Sequence, residues 1–220
     1  MGFELGILGD AGLQFFGKMT ASISHEIKNV LAIINEDAGL LEDLASLAEK
    51  GRPLEIERVK VLAGKMKAQI KRGDEIVKWM NRFAHSINEP LQVVDLDEIL
   101  TLMASLAERP SLMREIALEK EPRRGRVTVR TKPFILENLI WLCLDFAMAG
   151  AGGSKTVVLG CEAGENGVRI RIKGLKGLSE LRGETFPREE HKALLRAVKG
   201  DLAVDTEAGE LVLVLPPDAG

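Results

Sequence analysis

The run TASISHEIKNVLAIIN at residues 20–35 carries the side chains best suited to chemistry. It places His25 beside Glu26, with Lys28 and Asn29 three and four positions after the histidine. A neutral, exposed imidazole can attack a phosphoryl group, and a carboxylate hydrogen-bonded to one ring nitrogen makes the other more basic. Glu26 is expected to do this for His25. Lys28 would balance the charge of an incoming phosphoryl group, and Asn29 would orient the imidazole or a water molecule.

This run belongs to a segment with helical periodicity, over about residues 10–50. Its apolar residues recur in three- and four-residue steps and predict one stripe, formed by Ile23, Ile27, Val30, Ile34, Ala38, Leu41 and Ala45. His25 lies about 200° around the helix from Ile23, because each residue turns about 100°. We therefore expect the imidazole to point away from the stripe. The plain alternative is an exposed histidine on a solvated helix face.

A second helix is predicted over residues 53–86, after the break Lys50-Gly51-Arg52-Pro53. Its apolar residues repeat every seven positions in two seams: Ile56, Ala63, Ile70, Val77 and Ala84 in one, Val59, Met66, Gly73 and Met80 in the other. Such repeats predict an antiparallel helical hairpin. Pairing two copies into a dimeric four-helix bundle would bury the stripes. The alternative is that the C-terminal half covers them within one monomer.

The pattern changes after Pro90, which predicts domains at residues 1–90 and 91–220. A helix is expected at 97–108, with two more at 133–149 and 189–198. Between them lie short alternating or β-branched runs: IALEKE, RVTVRT, KTVVLGCEA, GVRIRIKG, GDLAVDT and GELVLVLPP. They predict a mixed sheet with helices on one face. The predicted fold class is therefore α+β, a helical hairpin followed by an α/β sandwich.

The segment ISHEIKNVLAIIN resembles the H-box of two-component sensor histidine kinases, in which a phospho-accepting histidine, an acidic residue and a Thr or Asn stand in this order. His25, Glu26 and Asn29 match these positions, while Val30 replaces the usual proline, which would remove a helix kink. IKRGDEIVKWMNRFAH resembles the second helix of that hairpin. The likeness extends over about residues 10–216 and implies that the sandwich corresponds to the ATP-binding domain.

The residues that would hold a nucleotide in that family are altered. NLIWLCLDFA resembles the N-box and keeps Asn138 and Asp145, but Leu142 replaces the magnesium-holding Asn and offers no oxygen. IKGLKGL resembles the D-x-G-x-G box, with Lys173 in place of the adenine-recognising Asp and Leu175 in place of the first Gly; Gly177 is retained. A lysine cannot accept a hydrogen bond from adenine. The glycine-rich phosphate segment is missing, and the lid, at about residues 178–188, is short.

The resemblance then implies a histidine phosphotransferase that passes phosphoryl groups between response-regulator aspartates through His25, without ATP. The alternatives are a response-regulator phosphatase using Glu26 and Asn29, a non-catalytic pseudokinase binding module and, last, an active sensor kinase. The expected partners are a second copy of the chain and a receiver domain, which would dock beside the exposed face of the first helix. Mg²⁺ is expected on that regulator, and no cofactor on this chain.

Composition and residue spacing limit the partners, the cellular location and the bound metals that we expect. A net charge of −3 gives no reason to expect nucleic acid as a partner. No stretch approaching about 18 apolar residues and no signal peptide is recognised, so we expect a cytoplasmic protein.

Cys143 and Cys161 lie in apolar runs and are expected in the core. No set of side chains has metal-ligand spacing. His85 and His191 are assigned no role, and Phe15, Phe16 and Phe83 are expected to be core rather than docking residues.

Overall fold

The computed structural model describes residues 2–88, 91–122, 125–165, 167–178 and 186–219, with the backbone alone at residues 2–5 and 7. Packing divides the chain into two compact units. Thr20–Arg82 forms one unit, and the described residues up to Met19 form the other together with those from Phe83 onward. The residues that precede the histidine run therefore pack with the C-terminal part of the chain. The predicted domain junction at Pro90 lies outside the described residues.

Two long helices supply the hairpin unit. Helix α1 spans Gly2–Glu49 and helix α2 spans Ile56–Ser86, so α1 begins well before the predicted residue 10. The predicted break between them is confirmed. Gly51 adopts the left-handed conformation, with φ +84°, while its N–H donates to the Ala48 carbonyl and that of Arg52 to the Leu47 carbonyl. This pair of bonds ends α1 as a Schellman motif, which favours glycine at that position.

The interior of the hairpin unit lies along one seam. Ile23, Val30 and Leu62 are buried. A Cβ atom added at Gly73 would lie 3.4 Å from Cγ1 of Val30, so the two helices meet there at van der Waals distance. Because Val30 lies early in the hairpin and Gly73 late, the helices run antiparallel, as predicted. The α2 seam that contains Gly73 is half-buried, whereas Ile56, Ile70 and Val77 of the other seam are exposed.

The described residues of the second unit form two sheets rather than the single mixed sheet that the sequence predicts. The larger has five strands in the order β2-β4-β5-β7-β6, and the smaller has the order β1-β3-β8. Their bounds are Gln92–Asp95 for β1, Ala117–Lys120 for β2, Thr128–Thr131 for β3, Thr156–Gly164 for β4, Gly167–Lys173 for β5, Asp201–Asp205 for β6, Glu210–Leu215 for β7 and Asp218–Ala219 for β8. The run RVTVRT separates from the main sheet because β3 pairs with β1 and β8.

The part of this unit that the structure describes also has three helices: α3 at Leu96–Met113, α4 at Pro133–Gly150 and α5 at Glu189–Ala197. Asp95 caps α3 by accepting a hydrogen bond from the Asp97 N–H at 3.0 Å. The helix continues past the predicted end at residue 108 and includes Pro110. The Ser111 hydroxyl donates to the Glu108 carbonyl at 2.7 Å and so satisfies one backbone acceptor near the proline.

Helix α4 is the central helix of this unit. Leu136, Leu139 and Ile140 are buried in it, and Ile140 and Cys143 pack near Ile170 and Ile172 of β5. Its 18 residues have a mean hydropathy of 1.4, so by length and composition it would be able to cross a membrane, and 67% of it is buried inside the fold. No other helix in the described part of the chain meets this test. The expectation that no segment approaches this length overlooked α4.

An aromatic cluster joins the start of α1 to the end of α2 and to α4. The Phe15 and Phe83 rings meet edge to face with their centroids 5.3 Å apart, and Phe134 lies 5.4 Å from Phe15. Phe15 and Phe83 are buried, which confirms them as core residues. Phe16 stacks on Phe83 but keeps 36% of its surface exposed. The cluster belongs to the second unit, because the α1 residues before Thr20 pack there.

Candidate functional site

His25 lies on the exposed side of α1 in the hairpin unit. Its side chain is exposed, as are those of Lys28 and Asn29, while Ile23 is buried. Helical geometry explains this difference, since the apolar stripe turns toward α2 and leaves the opposite side to solvent. His25 is therefore exposed on the side of α1 that helical periodicity predicts.

Glu26 lies beside the histidine but turns toward α2. Its Oε2 atom lies 2.8 Å from Nη2 of Arg72, in an ion pair that joins the two helices. Its Oε1 atom accepts a hydrogen bond of 3.4 Å from Nδ2 of Asn29, one helical turn away. Both carboxylate oxygens thus have partners other than the imidazole. The structure shows a carboxylate held between Arg72 and Asn29, where the sequence predicts one bonded to His25.

Arg72 is a residue of this site that the sequence does not identify. It stands in the second helix outside both heptad seams, among other charged residues. Recognising it requires the register of α2 against α1, which the heptad pattern does not specify. The Val30–Gly73 contact provides that register and brings Arg72 opposite Glu26.

The second unit contains a cavity of about 610 Å³ beside α4. Its walls come from the start of α1, from α4, from the residue that ends α3 and from the start of α5. They consist of Asp10, Ala11, Gln14, Phe15, Lys18, Arg114, Asn138, Trp141, Leu142, Asp145, Phe146, Ala149, Phe186, Arg188, Glu190 and His191. The cavity therefore includes the three N-box positions that the sequence singles out, which are Asn138, Leu142 and Asp145.

The cavity presents an apolar side chain at one N-box position and a paired carboxylate at another. Leu142 contributes no oxygen where a hard cation needs one, and the Asp145 carboxylate pairs with Nη2 of Arg114 at 2.7 Å. Oδ1 of Asn138 and Nε1 of Trp141 are buried and have no hydrogen-bond partner among the described residues.

Lys173 does not line this cavity. Val168, Ile170 and Ile172 of β5 are buried, so the intervening residues and Lys173 turn toward the other face of the sheet. The Lys173 ammonium pairs there with Oε1 of Glu121 at 2.6 Å. The alignment that sets Lys173 at the adenine-binding position therefore does not bring its side chain to the cavity. Leu175 is buried, and its N–H donates to the Gly209 carbonyl.

Alternation along β5 places Gly174, rather than Lys173, on the side of the buried residues. Gly174 has φ +92°, and a Cβ atom there would collide with the Thr156 carbonyl oxygen. A side chain at this position is excluded by backbone packing, so no carboxylate can replace the glycine without moving β4. Most of the predicted lid, residues 179–185, lies outside the described residues.

The other histidines occupy different environments. His85 is exposed, whereas His191 is buried and its Nδ1 atom accepts a hydrogen bond of 3.1 Å from the Arg188 N–H. Burial lowers the pKa of His191 and keeps the ring neutral near pH 7. Across the described residues, no three His, Cys, Asp or Glu side chains gather to hold a metal ion.

No protein-family model matches the chain, and no curated protein sequence does. Solved structures do resemble it. The catalytic domain of histidine kinase ThkA has 13% identity and a TM-score of 0.47, covering 60% of this chain and 100% of that one. The Acinetobacter baumannii histidine kinase AdeS has 13% identity and a TM-score of 0.48, covering 88% of this chain and 98% of that one.

A structure described as a bacterial phosphotransferase has 14% identity and a TM-score of 0.47, and covers 91% of this chain and 95% of its own. The ATP-binding domain of PrrB from Mycobacterium tuberculosis has 17% identity and a TM-score of 0.46, with coverage of 59% and 98%. Identities and scores this low do not assign an activity. The residues of the site must therefore support any functional conclusion.

Proposed function

We propose that the chain is a histidine phosphotransferase of a two-component phosphorelay, in which His25 carries phosphoryl groups to or from response-regulator aspartates. The observation that carries this proposal is the exposed imidazole of His25 on α1, beside a carboxylate and an amide that are held in place. Phosphoryl transfer needs little from the protein beyond positioning and charge compensation. The order His-Glu-x-x-Asn supports the same conclusion, because it resembles the acceptor motif of sensor histidine kinases.

The cavity beside α4 supports phosphotransfer over ATP-dependent autophosphorylation. A magnesium nucleotide would need an oxygen ligand where Leu142 stands, and the Asp145 carboxylate in the same cavity is already paired with Arg114. Both features favour a phosphoryl donor other than ATP. His25 would then receive its phosphoryl group from another protein. Catalysis by this chain requires no nucleotide, and the regulator supplies the magnesium ion.

The reaction is an in-line transfer. A ring nitrogen of neutral His25 attacks the phosphorus of the regulator's aspartyl phosphate, forming an N–P bond while the acyl O–P bond breaks. The aspartate carboxylate leaves with the bond's electron pair, and the reverse reaction returns the phosphoryl group. Lys28 is exposed near His25, three residues along the helix, and would reduce the repulsion between the phosphoryl oxygens and nearby acids.

Incubation with a labelled, phosphorylated response regulator tests this function. We expect label to appear on the wild-type chain and not on the His25→Ala variant, while His85→Ala, which removes another exposed histidine, keeps the label. Incubation with labelled ATP alone is expected to give no label. Labelling by ATP would contradict the proposed absence of a nucleotide site, and absence of label from several regulators would contradict phosphotransfer.

A regulator phosphatase is the second candidate, and the geometry of Asn29 favours it specifically. The Asn29 amide nitrogen faces Glu26 at 3.4 Å, which leaves its amide oxygen to accept a hydrogen bond from a water molecule. Such a water could attack a regulator's aspartyl phosphate with no phosphohistidine intermediate. This activity would survive in His25→Ala and be lost in Asn29→Ala, whereas phosphotransfer shows the opposite dependence on His25.

A further inference from the structure

The ion pair between Glu26 and Arg72 is the feature of the hairpin unit that the proposed reaction leaves unexplained. The pair joins α1 to α2 at 2.8 Å, with 15% of the Glu26 side chain and 41% of the Arg72 side chain exposed. Partly exposed ion pairs contribute little to protein stability. A stabilising role is therefore a weak explanation for an ion pair whose carboxylate belongs to the residue next to His25.

Glu26 has an electrostatic cost in phosphoryl transfer. It is the residue next to His25, and its carboxylate would repel the negatively charged oxygens of any incoming phosphoryl group. The guanidinium of Arg72 lies within hydrogen-bond distance of that carboxylate and cancels most of its field. An arginine suits this role because its charge is fixed at all physiological pH values.

The same contact also orients the amide of Asn29. With Oε2 of Glu26 held by Arg72, Oε1 faces Asn29 and accepts its N–H at 3.4 Å. A carboxylate fixed at one oxygen presents the other in a defined direction. Arg72 therefore fixes the orientation of the Glu26 carboxylate, which in turn fixes that of the Asn29 amide. Loss of Arg72 would leave Glu26 free to rotate toward solvent or toward His25.

We propose that Arg72 is a positioning residue of the His25 site that acts through Glu26, compensating its charge and fixing the Glu26–Asn29 contact. This inference rests on the proposed function, since it assigns Arg72 a part in phosphorylation of His25. The proposed effect of Arg72 on phosphorylation of His25 depends on the charge of Glu26. An arginine that contacted the phosphoryl group directly would act whether or not Glu26 carried a charge.

Phosphoramidate, a small phosphoryl donor, tests the proposal without a response regulator. The imidazole nitrogen attacks its phosphorus and the donor's N–P bond breaks. The donor nitrogen leaves as ammonia and takes up the proton that the phosphorylated imidazole ring loses. We expect Arg72→Met to slow phosphorylation of His25 by about five- to tenfold, the effect of one uncompensated charge near a surface. In the Glu26→Gln background, the same substitution should change the rate by less than about twofold. The measurement is the rate of acid-labile phosphate formation, with His25→Ala as the blank.

Two variants separate this role from a general loss of charge or of structure. Lys71→Met removes a positive charge from the neighbouring exposed position and is expected to leave the rate unchanged within about twofold. Arg72→Lys keeps the charge and should restore most of the rate. If Arg72→Met does not fold, as judged by its helical circular dichroism, Arg72→Gln carries the same comparison in both backgrounds.

An equal slowing by Arg72→Met with and without the Glu26 charge would overturn the proposal, as would no slowing at all. The test also separates this inference from the proposed function. If no regulator labels the chain while the phosphoramidate rates follow the expected pattern, the phosphorelay role fails and Arg72 keeps its assignment. If a regulator labels His25 and the rates ignore Arg72, only the role of Arg72 fails.

Discussion

At the scale of single residues, burial distinguishes the side chains that can react from those that cannot. The imidazole of His25 is exposed on α1, whereas the ring of His191 is buried in the second unit. Cysteine follows the same division. Cys143 is buried in α4, and burial raises the pKa of its thiol to about 12. Because the thiolate is the reactive form, a thiol with this pKa is inert at neutral pH.

We therefore predict that the two cysteines differ in their reaction with an aromatic disulfide reagent at pH 8. Cys161 on β4 is half-buried and should react in the folded protein, while Cys143 should react only after unfolding. Thiol counting by absorbance in native buffer and in guanidinium checks this. A native count of two would contradict the burial of Cys143, and Cys161→Ser should abolish the native reaction.

The site also shows what a sequence can and cannot predict at this scale. The direction of the His25 side chain follows from helical periodicity alone, since a rotation of about 100° per residue places it on the side of the helix opposite Ile23. Arg72 could not be found in this way, because its pairing with Glu26 depends on how α2 is rotated and shifted against α1. The direction of Lys173, by contrast, is predictable from the sequence. The alternation of Val168, Ile170 and Ile172 already indicates that Lys173 faces away from the core.

At the scale of elements, local backbone rules account for most of the boundaries. Gly51 ends α1 where the sequence predicts a break, and Asp95 caps α3. The separation of β1, β3 and β8 into their own sheet was not predictable from alternation, because alternation identifies a strand but not its partner.

The connection after β5 depends on Gly174. With φ +92° and no room for a Cβ atom beside the Thr156 carbonyl, Gly174→Ala should lower the free energy of unfolding by about 3 kcal/mol or more. Gly153→Ala is the matched control, because a Cβ atom there meets nothing within 4 Å. Urea unfolding followed by circular dichroism measures both. Equal stability of the two variants would show that the chain can move away from Thr156 at small cost.

The start of α5 should make stability sensitive to acid. Burial lowers the pKa of His191 in the folded protein, so the unfolded chain binds its proton more tightly. Stability should then fall as the pH drops below about 6.5, the ordinary histidine value, by up to about 1.4 kcal/mol per pH unit. His191→Gln should show a shallower loss of unfolding free energy between pH 7 and pH 5.5. His85→Gln, at an exposed position, should retain the wild-type slope.

At the scale of the whole molecule, the hairpin unit exposes an apolar seam on α2. Heptad spacing predicts two seams on α2, and the structure separates them: the seam of Gly73 meets α1, while Ile70 and Val77 remain 52% and 40% exposed. On α1, Leu31 is 59% exposed. A second copy of the chain is the occupant that we propose, since pairing two hairpins into a four-helix bundle would bury both sets.

If two chains pair through this seam, a single charge introduced into it should weaken the dimer. Ile70→Lys would bury an unpaired ammonium group in the bundle, and we expect it to raise the dimer dissociation constant by roughly a hundredfold. Leu112→Lys is the matched control, because Leu112 is 64% exposed on α3 in the other unit. Sedimentation equilibrium of both variants measures the constants. A monomeric wild type, or a dimer unaffected by Ile70→Lys, would assign the seam to another partner. The helical circular dichroism of Ile70→Lys should match the wild type, because Ile70 lies outside the seam that joins α1 to α2.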